Sequence, residues 1–319
     1  MRTFISSLIV ALLATVSVNA EPLIKNGDSV AFLGDSITQQ GWGNTGGYVH
    51  LVVDGLALAG IKVTPYPAGI GGHKSNNMLE RLERDVLAKK PTWMTLSCGV
   101  NDVWHGANGV ELPQYQENIT AIVERATKAG VKVMLLTATP IQEVDNPHNQ
   151  QLAAYNDFLR ALAKEKNLPL ADLSADCWAY LKPLPPGPRY LTADGVHMNP
   201  EGNLLMAKGV LRAFGFDDGE LAAVEQKLLD APNTAMFAGN YYIYPPSPAG
   251  ITFNQYRALQ KIAKDRKLDI NRLTAALCLQ AWADVLKNYH GDATVELDQL
   301  RVEAGELVGK KVANFIRSN

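Results

Sequence analysis

Short apolar runs alternate with longer stretches of helical periodicity over residues 29–214, and this alternation limits the possible fold more than any other feature of the chain. We predict five β-strands, at residues 29–33, 61–66, 93–98, 131–136 and 168–172. Helical patterns separate them, at residues 48–58, 76–89, 112–129 and 150–166. Strands that alternate with helices favour a parallel sheet with both faces covered by helices. The sequence therefore predicts a three-layer α/β/α fold with a five-stranded parallel sheet.

Residues 1–20 have the features of an export signal. Arg2 supplies a positive charge, residues 4–16 are mostly apolar, and Val18 and Ala20 place small residues before a cleavage site. We therefore expect cleavage after Ala20 and a mature protein that is secreted or periplasmic. This apolar run is shorter than the ~20 residues that span a bilayer, and no later segment is longer, so we expect no stable membrane insertion.

The composition is that of a globular protein, with 319 residues, 47% of them hydrophobic, and a formal net charge of −2. Nucleic acid is excluded as a partner because the chain has no basic excess to neutralise phosphates. Cys98, Cys177 and Cys278 are too few and too scattered for a disulfide framework or a metal site. We expect Cys98 and Cys278 to be buried thiols, since both lie in apolar patterns, and the sequence leaves one disulfide open.

A serine follows the first predicted strand at a position where α/β proteins carry out chemistry. The apolar run at 29–33 stops at Gly34, and Ser36 comes two residues later. Open α/β folds bind their ligands at the carboxyl edge of the sheet. A serine hydroxyl needs a nearby base before it attacks a carbonyl carbon. The chain should therefore also supply that base, a group that orients it, and donors for an oxyanion.

The sequence Gly34-Asp35-Ser36-Ile37-Thr38 resembles the nucleophile block of the GDSL/SGNH hydrolase family of esterases and lipases. The family is named for a serine, a glycine, an asparagine and a histidine in four separate blocks. The chain resembles all four blocks between residues 30 and 214. The resemblance implies a flavodoxin-like, doubly wound α/β fold and a serine esterase that needs no metal or cofactor.

The second and third blocks imply an oxyanion hole. Gly72, in the glycine cluster at 68–75, matches the block whose backbone N–H faces the oxyanion. Asn101, in the sequence GVND at 99–102, matches the block whose side-chain amide donates to it. These two donors and the N–H of Ser36 would form the hole. Without the resemblance, both residues would be read as ordinary turn residues.

Two Asp-x-x-His pairs follow the serine and are candidates for the base. Asp145 and His148 lie in a proline-bearing polar loop, where Asp and Asn commonly serve as turn and cap residues. Asp194 and His197 match the last block of the family, just before the final helix. We therefore predict that Asp194 orients His197 and that His197 takes the proton of Ser36. No H-E-x-x-H or similar histidine spacing appears, so we predict no metal site.

Loops after the first and third strands are expected to contact the substrate. We expect the glycine-rich stretch at 39–47 to form one rim of the cleft, with Trp42 as an exposed aromatic side chain. This stretch lacks the spacing and the lysine of a phosphate-binding P-loop. Trp104 and His105 lie in the loop after the third strand. The residues assigned to substrate binding are Asp35, Trp42, Trp104 and His105.

Residues 217–319 lie beyond the resemblance and predict a helical extension to a catalytic domain at residues 21–216. The extension has a helix at 220–229, an irregular aromatic and proline-rich loop at 231–251, and amphipathic helices at 253–266, 269–289 and 297–315. The apolar stripes favour packing on the catalytic domain or on one another. They leave self-association through these helices open. We expect the extension to contribute no catalytic group.

Together these features predict an exported serine esterase. Aromatic side chains beside polar groups suit a sugar ring, whereas an acyl-chain tunnel would need a continuous aliphatic lining. We therefore expect hydrolysis of short acyl esters, above all acetyl esters, on an O-acetylated carbohydrate through an acyl-enzyme. Two alternatives stay open: a lipase or lysophospholipase of the same family, and a non-catalytic module that binds a glycan or a protein on an esterase fold.

Overall fold

A computed structural model describes residues 21–185, 187, 189–231, 251–291 and 296–319. Within these ranges, one all-parallel sheet contains five strands in the order β2-β1-β3-β4-β5. The strands are β1 (Ser29–Gly34), β2 (Thr64–Gly69), β3 (Trp93–Ser97), β4 (Lys132–Leu136) and β5 (Leu170–Ala171). The predicted five-stranded parallel sheet is therefore confirmed. The predicted export signal and most of the loop at 231–251 lie outside the described residues.

Helices follow the strands and cover the sheet. The helices that lie between the strands or follow the last strand are α1 (Ser36–Gly43), α2 (Tyr48–Leu58), α3 (Ser75–Asp85), α4 (Val100–Trp104), α5 (Leu112–Lys128), α6 (Pro147–Lys166), α7 (Leu173–Leu181) and α8 (Pro200–Ala213). The extension contains α9 (Asp218–Asp230), α10 (Phe253–Asp265), α11 (Ile270–Lys287) and α12 (Leu297–Arg317). This order of elements is the predicted α/β fold with a helical extension.

The strand order reverses at β1, which has β2 on one side and β3 on the other. In open α/β sheets the crevice at such a reversal is where ligands bind. The strands end level with one another, because Gly34 pairs with Gly69 and Leu33 pairs with both Ala68 and Leu96. The loops that follow β1, β2 and β3 consequently meet at one edge of the sheet.

The glycine-rich stretch after β1 was predicted as a loop, and this prediction is wrong for its first half. Residues 36–43 form helix α1, whose N-cap is Asp35 with its carboxylate accepting from the N–H of Ile37 at 2.9 Å. Buried contacts hold this helix despite its glycines, since Ile37, Thr38 and Gly41 all face the core. Tertiary packing has overridden a poor helix propensity here.

Two glycines let α1 sit directly on the ends of β1 and β2. A Cβ atom on Gly69 would lie 2.2 Å from the backbone nitrogen of Gln39, and one on Gly34 would lie 2.0 Å from Oγ1 of Thr38. Any larger residue at either position would push the helix off the strand ends. The first turn of α1, which carries Ser36, is therefore held against the sheet.

Strand β2 lies three residues further along the chain than predicted at its amino end. The prediction followed the apolar residues at 61–66, whereas the observed strand is Thr64–Gly69 and includes Pro65 and Pro67. Proline removes a backbone donor, so it is tolerated only where one side of the strand is unpaired. Because β2 is the edge strand of the sheet, the prolines are compatible with it.

The extension packs against the rest of the protein through a continuous apolar core. Leu221, Val224 and Leu228 of α9 are buried, and a Cβ added to Gly55 of α2 would lie 3.1 Å from Val224. Arg257 of α10 forms a bidentate ion pair with Glu201 of α8, with N–O distances of 2.8 and 3.0 Å. The apolar stripes of the extension therefore face the core, as predicted. The boundary at 216 stays a prediction.

The apolar faces of α11 and α12 meet each other. Ala281 of α11 and Ala304, Val308 and Val312 of α12 are buried in this contact region. Among the described residues, no helix combines the length and the apolar character that a membrane crossing requires.

All three cysteines are buried and none is bonded to another. The predicted burial of Cys98 and Cys278 is confirmed, and Cys177 is buried as well. The disulfide that the sequence left open does not form between these residues in the structure.

Candidate active site

Ser36 lies at the first position of helix α1, where β1 ends. Its neighbours Asp35 and Ile37 are buried, whereas Ser36 itself is half-buried at the carboxyl edge of the sheet. The carboxylate of Asp35 caps the helix, so the backbone around the serine is held on both sides. This local structure presents one hydroxyl group to the cleft.

The histidine predicted as the base lies next to this hydroxyl. Nε2 of His197 is 2.9 Å from Oγ of Ser36, and Nδ1 of His197 is 2.6 Å from Oδ2 of Asp194. The carboxylate at Nδ1 favours the tautomer that carries its proton there, which leaves Nε2 able to accept the serine proton. Asp194 also accepts from the N–H of Val196 at 2.9 Å and of His197 at 2.8 Å. The three side chains predicted as a catalytic triad are thus in hydrogen-bond contact.

The competing Asp-x-x-His pair makes other contacts. The ring of His148 packs against the ring of Trp104, with 5.4 Å between their centroids. The carboxylate of Asp145 accepts from the side chain of Gln150 at 3.1 Å. The geometry therefore selects His197 over His148 as the candidate base.

The predicted oxyanion donors lie on the two neighbouring loops. Asn101 is 8% exposed in the first turn of α4; its Nδ2 donates to the carbonyl of His73 at 3.1 Å and lies 3.4 Å from Oδ2 of Asp35. Gly72 has a φ of +75°, a left-handed conformation that favours glycine. Next to it, the N–H of Gly71 donates to the side chain of Gln39 on α1 at 2.9 Å.

The turn that contains Gly72 is close to the serine. A Cβ atom on Gly71 would lie 3.8 Å from Cβ of Ser36. Asn101 also contacts His73, the residue after Gly72, so the two loops touch each other. The serine, the glycine turn and the asparagine consequently surround one space at the edge of the sheet.

Residues 32–205 match the sequence model of the GDSL-like lipase/acylhydrolase family. This chain belongs to that family. It is 32% identical over 218 residues to an acetylxylan esterase of Geobacillus stearothermophilus, an alignment that covers 61% of this chain and 97% of that protein.

Solved structures of two esterases are similar to this fold. The crystal structure of Axe2, an acetylxylan esterase from Geobacillus stearothermophilus, has a TM-score of 0.56 and 28% identity, covering 61% of this chain and 97% of that chain. The acetyl xylan esterase AlAXEase has a TM-score of 0.54 and 35% identity, covering 58% of this chain and 98% of that chain. Together with the family match, these similarities show that the chain is a carboxylic-ester hydrolase.

The pKa values of Asp35 and Asp194 are shifted in opposite directions. Burial disfavours the charge of Asp194, but hydrogen bonds from the ring and N–H of His197 and from Val196 outweigh it, so the pKa of Asp194 lies well below its ordinary value. Burial raises the pKa of Asp35 to about 6, against the opposing effects of the Ile37 N–H and of His197. At a pH near 6, Asp35 can therefore take up a proton while Asp194 remains charged.

The contact between Asp194 and His197 also changes the proton affinity of the candidate base. The hydrogen bond to Asp194 raises the pKa of His197 above its ordinary value, and it outweighs the lowering caused by partial burial of the ring. A raised pKa makes the imidazole a stronger proton acceptor when it is neutral. It also means that His197 becomes protonated at a higher pH than a free imidazole does.

Two of the predicted substrate contacts need correction. Asp35 is only 2% exposed, and its carboxylate caps α1 and faces Asn101, so it is buried behind the serine instead of facing a substrate. Trp42 is half-buried and its ring stacks on His50 at 4.2 Å with an angle of 7° between the planes. It was predicted as an exposed side chain; the apolar core and the ring of His50 cover part of it.

The other two predicted contacts are exposed. Trp104 is 40% exposed at the end of α4, three residues after Asn101 and thus on the same side of the helix. His105 follows it and is also exposed. Both remain predicted substrate contacts.

Sequence reasoning missed Arg81, a buried side chain that joins the ends of β1 and β2. Its Nη2 donates to the carbonyl of Gly34 at 2.7 Å, and its Nη1 donates to the carbonyl of Ala68 at 2.8 Å and to Asp85 at 3.0 Å. The available signal was its position on α3, because Arg81 shares the buried face of this helix with Met78 and Leu82. The guanidinium holds the last carbonyl before the Asp35–Ser36 turn.

A second missed group is Asp102, which connects the loops after β2 and β3. Its Oδ1 accepts from the N–H of Ser75 at 3.0 Å and from the Ser75 hydroxyl at 2.6 Å. The amide of Asn118 donates to the same hydroxyl at 3.0 Å. This buried network ties the amino ends of α3 and α4 to α5, and so holds Asn101 in place.

The raised pKa of His197 gives a prediction for the pH dependence. Because His197 must be neutral to accept a proton, kcat/KM should fall as the pH drops through an inflection above 6.5, the ordinary pKa of imidazole. Asp194→Asn should move the inflection down and lower kcat roughly 10⁴-fold, since the wrong tautomer is then favoured. Asp145→Asn is the control and should leave the profile unchanged. An unchanged inflection in Asp194→Asn would show that Asp194 does not act on the base.

Proposed function

We propose that this esterase removes short acyl groups, above all acetyl, from an O-acetylated carbohydrate through a covalent acyl-enzyme on Ser36. The observation that carries the proposal is the chain of contacts from Ser36 through His197 to Asp194, at 2.9 and 2.6 Å. The named activity of the two similar acetylxylan esterases supports the choice of acyl group and of carbohydrate.

In the first half-reaction, Oγ of Ser36 attacks the carbonyl carbon while Nε2 of His197 takes its proton. The negative charge that develops on the carbonyl oxygen is stabilised by the N–H groups of Ser36 and Gly72 and by Nδ2 of Asn101. The imidazolium, held by the charged Asp194, then donates its proton to the sugar oxygen as the ester bond breaks. The sugar leaves with a free hydroxyl, and the acyl group stays on Ser36.

In the second half-reaction, His197 takes a proton from a water molecule that attacks the acyl-enzyme. The same donors stabilise the second oxyanion, and His197 returns the proton to Oγ of Ser36 as the carboxylic acid leaves. The contact of Asn101 with Asp35 is long, at 3.4 Å, so this amide N–H is weakly engaged and available to an oxyanion. The route needs no metal or cofactor.

Trp104 supports a carbohydrate as the substrate. Its exposed ring lies one helical turn beyond Asn101, beside the ring of His148, and an exposed aromatic face suits the apolar face of a sugar.

We also propose that the enzyme is exported, on the basis of the signal-like residues 1–20. An exported chain whose amino terminus is Glu21 would agree with this, and an intact terminus at Met1 would not.

Single substitutions should separate the two Asp-x-x-His pairs. Ser36→Ala should reduce kcat on p-nitrophenyl acetate on the order of 10⁶-fold, and His197→Ala should be nearly as damaging, because the triad acts as a unit. Asn101→Ala should lower kcat about 10²–10³-fold through the loss of one oxyanion donor. His148→Ala is the matched control and should retain most activity. An essential His148 beside a dispensable His197 would contradict the proposed site.

Acyl-chain length tests the substrate class. Activity should fall steeply from acetyl to octanoyl p-nitrophenyl esters, because the proposed site binds a sugar instead of a long acyl chain. The enzyme should also release acetate from acetylated xylan, pectin or sialoglycan. A preference for octanoyl or longer esters, with no acetate released from any of these glycans, would instead favour the lipase or lysophospholipase alternative.

A further inference from the structure

The loop between β4 and α6 has an unusual backbone. Gln142 has a φ of +62° and Glu143 has a φ of +56°, so two successive residues with side chains adopt the left-handed region. That conformation is unfavourable for residues other than glycine, because the Cβ atom crowds the following carbonyl oxygen. Such a backbone persists only where its surroundings hold it in place, and it often marks a functional position.

The carboxylate of Glu143 makes the contacts that hold this loop. It accepts from the N–H of Tyr190 at 2.7 Å, of Leu191 at 3.1 Å and of Thr192 at 2.6 Å. It also accepts from the hydroxyl of Thr192. One charged group thus binds three successive backbone N–H groups that lie almost fifty residues away in sequence. Hydrogen bonds to an ionised acceptor are about twice as strong as neutral ones.

The bound segment leads directly into the turn that carries the candidate base. The N–H of Ala193 donates to the carbonyl of His197 at 2.8 Å, and the N–H of Asn199 donates to the carbonyl of Leu191 at 2.9 Å. These bonds close a tight turn with Asp194 and His197 at its tip. Glu143 binds the segment that leads into this turn.

The neighbouring residue binds the tip. The N–H of Gln142 donates to the carbonyl of Gly195, between Asp194 and His197, at 2.6 Å. The left-handed backbone at 142 and 143 is what points this N–H and the Glu143 side chain at the same turn. The strained pair therefore contacts the turn both before and after Asp194.

The aspartate at the tip is largely exposed, and the histidine is partly exposed. The side chain of Asp194 is 57% exposed and that of His197 is 27% exposed. The carboxylate of Asp194 is held by the N–H groups of Val196 and His197 in the turn itself, and it in turn contacts the ring of His197. The position of the pair relative to Ser36 therefore depends on the backbone of the turn, which Glu143 contacts.

We propose that Glu143 is a positioning residue for this esterase: its carboxylate holds the Asp194–His197 turn so that Nε2 of His197 stays within hydrogen-bond distance of Ser36. This inference rests on the proposed function. The described hydrogen bonds of Glu143 go to residues 190–192 and not to the triad itself. Displacing a catalytic group by about 1 Å can lower the rate about 10²-fold. Loss of the hydrogen bonds of Glu143 should therefore affect kcat more than substrate binding.

Glu143→Gly separates positioning from folding. This substitution removes the carboxylate and at the same time relieves the left-handed strain at position 143, so the melting temperature should change by only a few degrees. With p-nitrophenyl acetate as the substrate, kcat should fall about 10- to 100-fold, while KM should change by less than about threefold because ground-state binding is untouched. Glu143→Gln keeps one acceptor oxygen and should give an intermediate kcat.

Lys90→Gly is the matched control. Lys90 has a φ of +48° and precedes β3 at the opposite edge of the sheet, so this substitution also relieves a left-handed residue but should leave kcat unchanged. If Glu143→Gly fails to fold, Glu143→Gln decides by the same comparison of kcat with KM.

Three results would overturn the inference: a folded Glu143→Gly enzyme with unchanged kcat, a loss confined to KM, or a Glu143→Gln enzyme as active as the parent where Glu143→Gly does not fold. Ser36→Ala measured in parallel distinguishes this failure from a failure of the proposed function. An active Ser36→Ala enzyme would reject the proposed mechanism itself, whereas an inactive one beside a fully active Glu143→Gly enzyme would reject only the role of Glu143.

Discussion

Parallel pairing brings the carboxyl ends of β1, β2 and β3 to one edge of the sheet, and the candidate active site depends on this alignment. Ser36, Gly72 and Asn101 each follow the end of one of these strands within four residues. Arg81 strengthens the alignment, because its guanidinium binds the last carbonyl group of β1, that of Gly34, and the carbonyl of Ala68, one residue before the end of β2. Gly34 provides the other requirement, a strand end small enough for the helix that carries the serine.

The base reaches this edge from a different direction. Asp194 and His197 lie on a turn after the last strand, and in the described structure Glu143 and Gln142 hold this turn by backbone contacts. The sheet thus positions the serine and the candidate oxyanion donors directly, whereas a strained loop positions the base. The pKa values of the two aspartates also differ between these two parts of the site. Buried Asp35 resists ionisation, whereas the more exposed Asp194 keeps its charge through hydrogen bonds from the base.

The sequence was sufficient for the parts of the structure that depend on local patterns. The alternation of apolar runs and helical stretches predicted the five parallel strands, and four motif blocks led to Ser36, Asp194 and His197, which the fold brings together. It was not sufficient where tertiary contacts decide. Helix α1 forms on glycines because the core supports it, and the ring of Trp42 is partly covered by His50, a neighbour that no local pattern identifies.

Glu143 shows the same limit most clearly. In sequence it is one acidic residue in a polar loop, and its partners lie 47 to 49 residues away. Its left-handed backbone also has no sequence signal, because glycine or asparagine would be expected there. The packing of the extension was easier to predict, since its apolar stripes repeat at the helical period.

Trapping the acyl-enzyme tests the central claim most directly. The enzyme would be mixed with excess p-nitrophenyl acetate, quenched with acid within the first turnovers, digested, and analysed by peptide mass spectrometry. The account predicts the added mass of one acetyl group on the peptide that contains Ser36, with fragmentation placing it on that serine, and no such adduct in Ser36→Ala. An acetyl group on another residue, or rapid turnover that proceeds through Ser36→Ala, would contradict it.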